Sequence, residues 1–205
     1  DFLSRHNISQ TGLGTLIDSL ANVRTLVVGD LIVDRYVDCQ PLGLSAEDPT
    51  VVVSPVAKQE FVGGAGIVAA HAAQLGAEAT LVSVRGGDDI GESAITQLEK
   101  LSVNTSILVD HDRPTTRKTR YRASGKTLLR VNELRDHQID ERIAEKLLKA
   151  VKERLSEYDV LILADFSYGV LGDELVNAIL REVKGKRLIT AADSQSSSQM
   201  GDIAR

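Results

Sequence analysis

A mostly parallel α/β sheet covered by helices is the fold class this sequence predicts, and three observations predict it. The segment Thr25-Leu26-Val27-Val28-Gly29 is apolar after its first residue and does not alternate, which is how a strand buried on both faces reads. Strand-like and helix-like stretches then take turns along the chain, the rhythm of βαβ units. The apolar residues are Val, Ile, Leu and Ala, aromatics are only 3% and Trp is absent, the palette of parallel strands and their covering helices.

Taken in order, Leu13, Leu16, Ile17 and Leu20 recur at helical spacing after Gly12 and predict a short amphipathic helix, an N-terminal extension over residues 1–23. The first core strand follows and ends at Asp30. In open parallel sheets ligands settle beyond the carboxyl ends of the strands, so Asp30 is placed at a ligand crevice, or it caps a turn there. Asp34 lies four residues on, and the two acids can converge only through a bend. Tyr36–Gln40 and 50–62 look like strands broken by Pro41, Pro49 and Pro55, since proline keeps to edges and bulges. Gly64–Leu75 reads as an Ala-rich helix closed by Gly76, 79–84 as a buried strand, and 90–101 as a helix after Gly86-Gly87-Asp88-Asp89. A strand over 103–109 precedes a hairpin, 115–123 with 127–132, turning at Ser124-Gly125-Lys126. The rhythm resumes with a helix over 140–155, a strand over 159–164 ending before Asp165, a helix over 172–183 and a strand over 187–191.

Composition bounds the function classes. The 205 residues suit one large domain or one with a small appendage, and 42% hydrophobic content supplies a core. A net charge of −5 argues against nonspecific nucleic-acid binding. The single cysteine, Cys39, rules out an internal disulfide and suits a reducing, cytoplasmic setting. No stretch has the length of a membrane span and no signal-peptide pattern opens the chain, whose start at Asp1 instead suggests trimming. His6, His71, His111 and His137 lack ligand spacing, so a structural or catalytic transition-metal site has little support.

The ordered set Gly29-Asp30, Val33-Asp34-Arg35, Ser45-Ala46-Glu47-Asp48-Pro49, Gly63-Gly64-Ala65, Thr115-Thr116-Arg117-Lys118-Thr119-Arg120 and Ala164-Asp165-Phe166-Ser167-Tyr168-Gly169 resembles the ribokinase/PfkB carbohydrate kinase family. Within it, the set is most similar to the heptose-7-phosphate kinase domain of bifunctional heptose kinase/adenylyltransferase proteins. The resemblance covers residues 24–205 and implies a Rossmann-like (ribokinase-like) sheet with a small β lid, built here from 35–62 and 115–132. It implies ATP and Mg2+ as cofactors, a sugar or sugar phosphate as substrate, and a homodimer formed through the lid.

Carried over, Asp30, Asp34 and Asp165 bind sugar hydroxyls, which a carboxylate accepts directionally. Gly63 and Gly64 let backbone and helix N-terminus approach the substrate. Lys118, Arg120 and Arg122 alternate on one strand and share a face, either as a clamp for an anionic substituent or as charged guards of an exposed edge. Asp193, in the place of an Asp-Pro-Lys-like motif, is assigned to the cofactor.

Three positions depart from the family pattern. Gly66-Ile67 replaces an Asn, and Ile67 cannot hydrogen-bond a hydroxyl, which leaves room for another sugar. Tyr168 and Gln195 stand near positions where the heptose kinases carry lysines, and losing both weakens phosphate neutralisation. The Gly-Ala-Gly-Asp-like motif with its aspartate base has no counterpart before Arg205, so the catalytic residue is unassigned. The expectation is therefore the substrate-binding part of a sugar kinase, with the rest of the fold lying beyond Arg205.

Two other classes stand beside this one. A non-catalytic module that binds a sugar phosphate would keep the acids and lose phosphate handling. An NAD-dependent Rossmann oxidoreductase is suggested by Gly64-Ala65-Gly66-Ile67-Val68-Ala69, yet these glycines come more than thirty residues after the first strand instead of directly following it. Gly125-Lys126-Thr127 has the ending of a phosphate-binding loop, but Arg120 replaces the first glycine and the context is a hairpin.

Overall fold

Each buried residue of the first strand points to the face opposite its neighbour's, and this sorts the core into two layers. In the computed structural model, which describes residues 2–194, β1 (Arg24–Gly29) is the centre of a five-stranded parallel sheet. Its order is β5-β4-β1-β8-β9, from β4 (Glu78–Arg85), β5 (Val103–Val109), β8 (Val160–Asp165) and β9 (Ile189–Ser194). Val27 and Leu81 pack with Ala65, Ala69, Ala94 and Leu98 of α3 (Ala65–Gln74) and α4 (Asp89–Lys100). Leu26, Val28 and Leu161 pack with Leu147, Val151 and Ile179 of α5 (Glu141–Lys152) and α6 (Asp173–Val183) on the other face. The expected α/β class, a mostly parallel sheet flanked by helices, is what the chain adopts.

A second, four-stranded sheet has the order β3-β2-β6-β7. It contains β2 (Leu31–Leu44), β3 (Val51–Gly64), β6 (Thr116–Ala123) and β7 (Lys126–Glu133), with β2 and β6 parallel and the outer pairs antiparallel. The β6–β7 turn has positive φ at Ser124 (50°) and Gly125 (76°), the requirement of a two-residue hairpin turn.

Pro41 and Pro55 do not break these strands as the sequence suggests, while Pro49 does lie between β2 and β3. Pro41 and Pro55 lie inside β2 and β3, each 14 residues long. Pro55 is on the edge strand β3, and Pro41 lies past Asp38, where β2 has left β6 and only one neighbour remains. A missing N–H is tolerated at both places, and register shifts at Asp38/Cys39 and Pro41/Gly43 absorb the irregularity.

Both excursions into the second sheet are tied at their roots. Ser83 Oγ donates to Gly29 O at 2.6 Å and accepts from Leu31 N at 3.1 Å, bridging the bend at Asp30, whose own carbonyl accepts from Ala65 N at 2.8 Å. Asp88 caps α4 through Gly91 N (2.9 Å) and also accepts from Thr115 N (2.8 Å) and Oγ1 (2.6 Å), one residue before β6. At the N-terminus, α1 (Phe2–Arg5) precedes α2 (Gln10–Ser19), which Ser9 caps through Gly12 N, with Leu13, Leu16 and Ile17 exposed.

Candidate functional site

Register brings the charged residues of the second sheet together. Asp34, Tyr36 and Asp38 of β2 lie opposite Lys118, Arg120 and Arg122 of β6, all on one face. Asp34 and Arg120 form a half-buried ion pair, and that bond holds the Arg120 proton more firmly than usual. The Arg120 and Arg122 guanidiniums lie 5.3 and 5.4 Å from the Tyr36 ring centroid, and Phe61 meets the ring edge-on at 6.1 Å. Lys118 Nζ sits 4.7 Å from the ring centroid of Tyr168, in the loop after β8. This face therefore looks toward the carboxyl end of the main sheet, where open α/β sheets bind ligands. Among the described residues neither Lys118 nor Arg122 has a carboxylate partner.

Asp30 behaves differently from its assignment. Its carboxylate is 1% exposed and accepts from Phe166 N (2.8 Å), Tyr168 N (3.3 Å) and Val170 N (3.0 Å). It anchors the β8 loop instead of facing a crevice, and Asp34 does not join it. Burial pushes the Asp30 carboxyl above its ordinary range, with the Asp165 charge adding to the effect and the three N–H bonds opposing it. Asp165 is also turned inward: it is 6% exposed, accepts from Ser167 N at 2.8 Å and takes the Ser194 hydroxyl at 3.2 Å.

The two glycines have a packing explanation. A Cβ at Gly63 would collide with Asp34 Oδ2, and one at Gly64 would collide with Asp30 O and Ile32. Gly64 also has φ 56°, a conformation suited to glycine, and it lets the chain turn into α3. Protein neighbours thus account for Gly64 outright, whereas at Gly63 the neighbour is the Asp34 side chain of the site itself. Ile67 packs against the core. Asp193 is exposed on β9 opposite Ala164, and Gln195 lies outside the described residues.

Sequence reasoning missed Tyr36, Phe61 and Arg113. Arg113 is buried, and its guanidinium donates to Asp110 Oδ2 (3.0 Å), Tyr168 O (3.1 Å) and His137 O (3.1 Å). A charged residue between Asp112 and Pro114 reads as a surface turn, so nothing local reveals it. The aromatic signal was available only through register with the β6 cations.

The model of the pfkB family carbohydrate kinases matches residues 24–199. The chain belongs to this family. Among relatives of this pfkB chain, the D-beta-D-heptose 7-phosphate kinase of Bordetella bronchiseptica is 32% identical over 176 residues, 86% of this chain and 55% of the relative. The bifunctional protein HldE of Desulfatibacillum aliphaticivorans is 32% identical over 176 residues, 84% of this chain and 36% of the relative. This pfkB chain therefore spans between a third and somewhat over half of those relatives. The solved phosphofructokinase-2 of Escherichia coli in complex with fructose-6-phosphate has its fold, with TM-score 0.65 at 16% identity over 86% of this chain and 56% of that one.

Proposed function

We propose that this chain is the sugar-binding part of an ATP-dependent kinase acting on a phosphorylated sugar of the heptose 7-phosphate class. The observation that carries the reading is the face shared by Asp34, Tyr36, Lys118, Arg120 and Arg122, turned toward Tyr168. Asp34, already oriented by Arg120, accepts a sugar hydroxyl through its remaining lone pairs. Lys118 and Arg122, free of carboxylate partners among the described residues, take the anionic substituent, and the guanidiniums supply forked donors. The kinase relative of Bordetella and the sugar-phosphate complex of the phosphofructokinase support the same substrate class.

Phosphoryl transfer asks chiefly for positioning and charge stabilisation. This chain supplies positioning of the acceptor: the second sheet serves as a lid of 31–64 and 116–133 on a kinase domain that begins near residue 24. ATP with Mg2+ is the proposed donor. Among the described residues no group of three His, Cys, Asp or Glu is placed to hold a metal ion, and Asp193 is exposed on β9.

A homodimer through the lid is supported by its other face, where Val37 and Tyr121 line a cavity of about 380 Å³ beside exposed Val56. A cytoplasmic setting is supported by the lone Cys39; among the described residues no helix is long and apolar enough to cross a membrane.

The test is calorimetric titration of the intact protein with heptose 7-phosphate, fructose 6-phosphate and ribose, each followed by an ADP-release assay with Mg-ATP. Sugar-phosphate-dependent ADP release is the expected result. Sugar binding without turnover would favour the non-catalytic module, and no sugar binding would overturn the reading.

A further inference from the structure

We propose that Arg113 is a positioning residue for this site: by holding the Tyr168 carbonyl it sets where the Lys118 ammonium meets the anionic group of the substrate. The inference rests on the reading of the site given above.

The Arg113 side chain is 6% exposed, too deep to touch a ligand in the face described. It leaves the chain three residues before β6 and ties that root to three segments at once: the end of β5 through Asp110, the β8 loop through Tyr168 O, and the segment before α5 through His137 O. Only a planar fork of donors spans three such acceptors; an ammonium does not.

The peptide units of Tyr168 are held on both sides. Its N–H goes to Asp30 Oδ2 at 3.3 Å and its carbonyl takes the Arg113 donor at 3.1 Å. The flanking residues have left-handed backbones, Ser167 at φ 64° and Gly169 at φ 89°, and Gly169 O accepts from Ile139 N at 2.9 Å. A serine in that region is sparsely populated unless its surroundings over-determine it. Here they do, and the visible product is the aim of the Tyr168 ring, which lies half-buried against Lys118 Nζ at 4.7 Å.

Lys118 is a long side chain with no carboxylate partner among the described residues, so the ring is what restrains it. The sequence of contacts therefore runs from Arg113 to the Tyr168 carbonyl, from the Tyr168 ring to Lys118, and from Lys118 to the substrate anion. Arg113 acts without contacting that anion. It also links the lid root to the floor of the site, because the β6 root and the β8 loop belong to different sheets.

The experiment is a double-mutant cycle in the intact protein with Arg113→Lys, Tyr168→Ala and their combination. Calorimetry would be run with heptose 7-phosphate and with the same heptose lacking phosphate, alongside thermal melts. Arg113→Lys is expected to weaken the phosphorylated sugar by about 5- to 10-fold, to leave the unphosphorylated sugar within about 2-fold, and to add no further loss once Tyr168 is Ala. Additive losses, or equal losses for both sugars, would reduce Arg113 to a structural role and overturn the proposal while leaving the site reading intact. Should Arg113→Lys not fold, Tyr168→Leu keeps the carbonyl bond and must itself weaken the phosphorylated sugar selectively; unchanged selectivity overturns the proposal. Wild-type protein that binds neither sugar overturns the site reading and the proposal with it.

Discussion

Replacing Asp30 by Ala removes the anchor of the β8 loop, and the size of the loss follows from its partners. Three N–H groups lose their acceptor: Phe166, Tyr168 and Val170, at 2.8, 3.3 and 3.0 Å. At about 1 kcal/mol net for each of the Phe166 and Tyr168 bonds, and about 1–3 kcal/mol for the buried Val170 N–H left unpaired, the total is about 3–5 kcal/mol. Asp30→Asn separates charge from geometry. Its one carbonyl oxygen can serve Phe166 and Tyr168, but its amide then meets the Val170 N–H donor to donor. Because it also relieves a buried charge, its expected cost is smaller, about 1–3 kcal/mol.

Urea denaturation reads both as midpoint shifts at unchanged slope. The pH profile supplies a second handle. Burial raises the Asp30 carboxyl above 3.8 in the folded protein. The folded state then holds a proton that the unfolded state has released, so the contribution of the acid is complete below the unfolded value and is lost as pH rises through the raised folded one. The advantage of wild type over Asp30→Asn should therefore shrink with rising pH across that window. An Asn variant as stable as wild type at every pH would refute the anchoring argument.

Two further predictions bear on the site and the lid root. Gly63→Ala drives a methyl group into Asp34 Oδ2 and displaces the carboxylate from Arg120; sugar-phosphate affinity should fall by about 1–3 kcal/mol in calorimetry, and unchanged affinity would remove Asp34 from the site. Asp88→Ala takes away the α4 cap and both bonds to Thr115, for about 2 kcal/mol of stability. Burial alone would raise the Asp88 carboxyl, but the Thr115 hydroxyl, the Thr115 and Gly91 N–H groups and Arg85 together hold it below 3.8. Its contribution is thus present above that value and lost as pH falls through the lowered one, so thermal melts should show the variant's deficit at about pH 7 narrowing toward about pH 3; a constant deficit would argue against the carboxylate as acceptor.

The main sheet was legible because burial on both faces leaves a one-dimensional mark. Leu26–Gly29 and Val160–Ala164 read as unbroken apolar runs, and both lie in core strands. The second sheet was legible as strands but not in extent. Pro41 and Pro55 look like terminators, and whether a proline's missing N–H matters depends on which edge lacks a neighbour, a property of topology. The site divides along the same line. The alternation of Lys118, Arg120 and Arg122 is local and gave their common face; the partnership of Asp34 with Arg120 spans 86 residues and needed the β2–β6 register. Asp30 was correctly placed at a strand end, yet the direction of its carboxylate was decided by a loop 136 residues away. Glycine pairs read as ligand approaches proved to have protein neighbours of their own.

The parallel pairing of β2 with β6 also constrains the order in which the molecule can assemble. Each outer pair of the second sheet is a hairpin whose strands are close in sequence and close their turns early. The seam between them matches Ile32–Asp38 to Thr116–Arg122, and the chain between those segments contains α3, β4, α4 and β5. That loop is shortened only when β1, β4 and β5 have come together, because until then its closure entropy opposes the seam. The cationic face across that seam therefore rests on the longest-range pairing of the second sheet, one that joins two local hairpins only by way of the packed strands β1, β4 and β5.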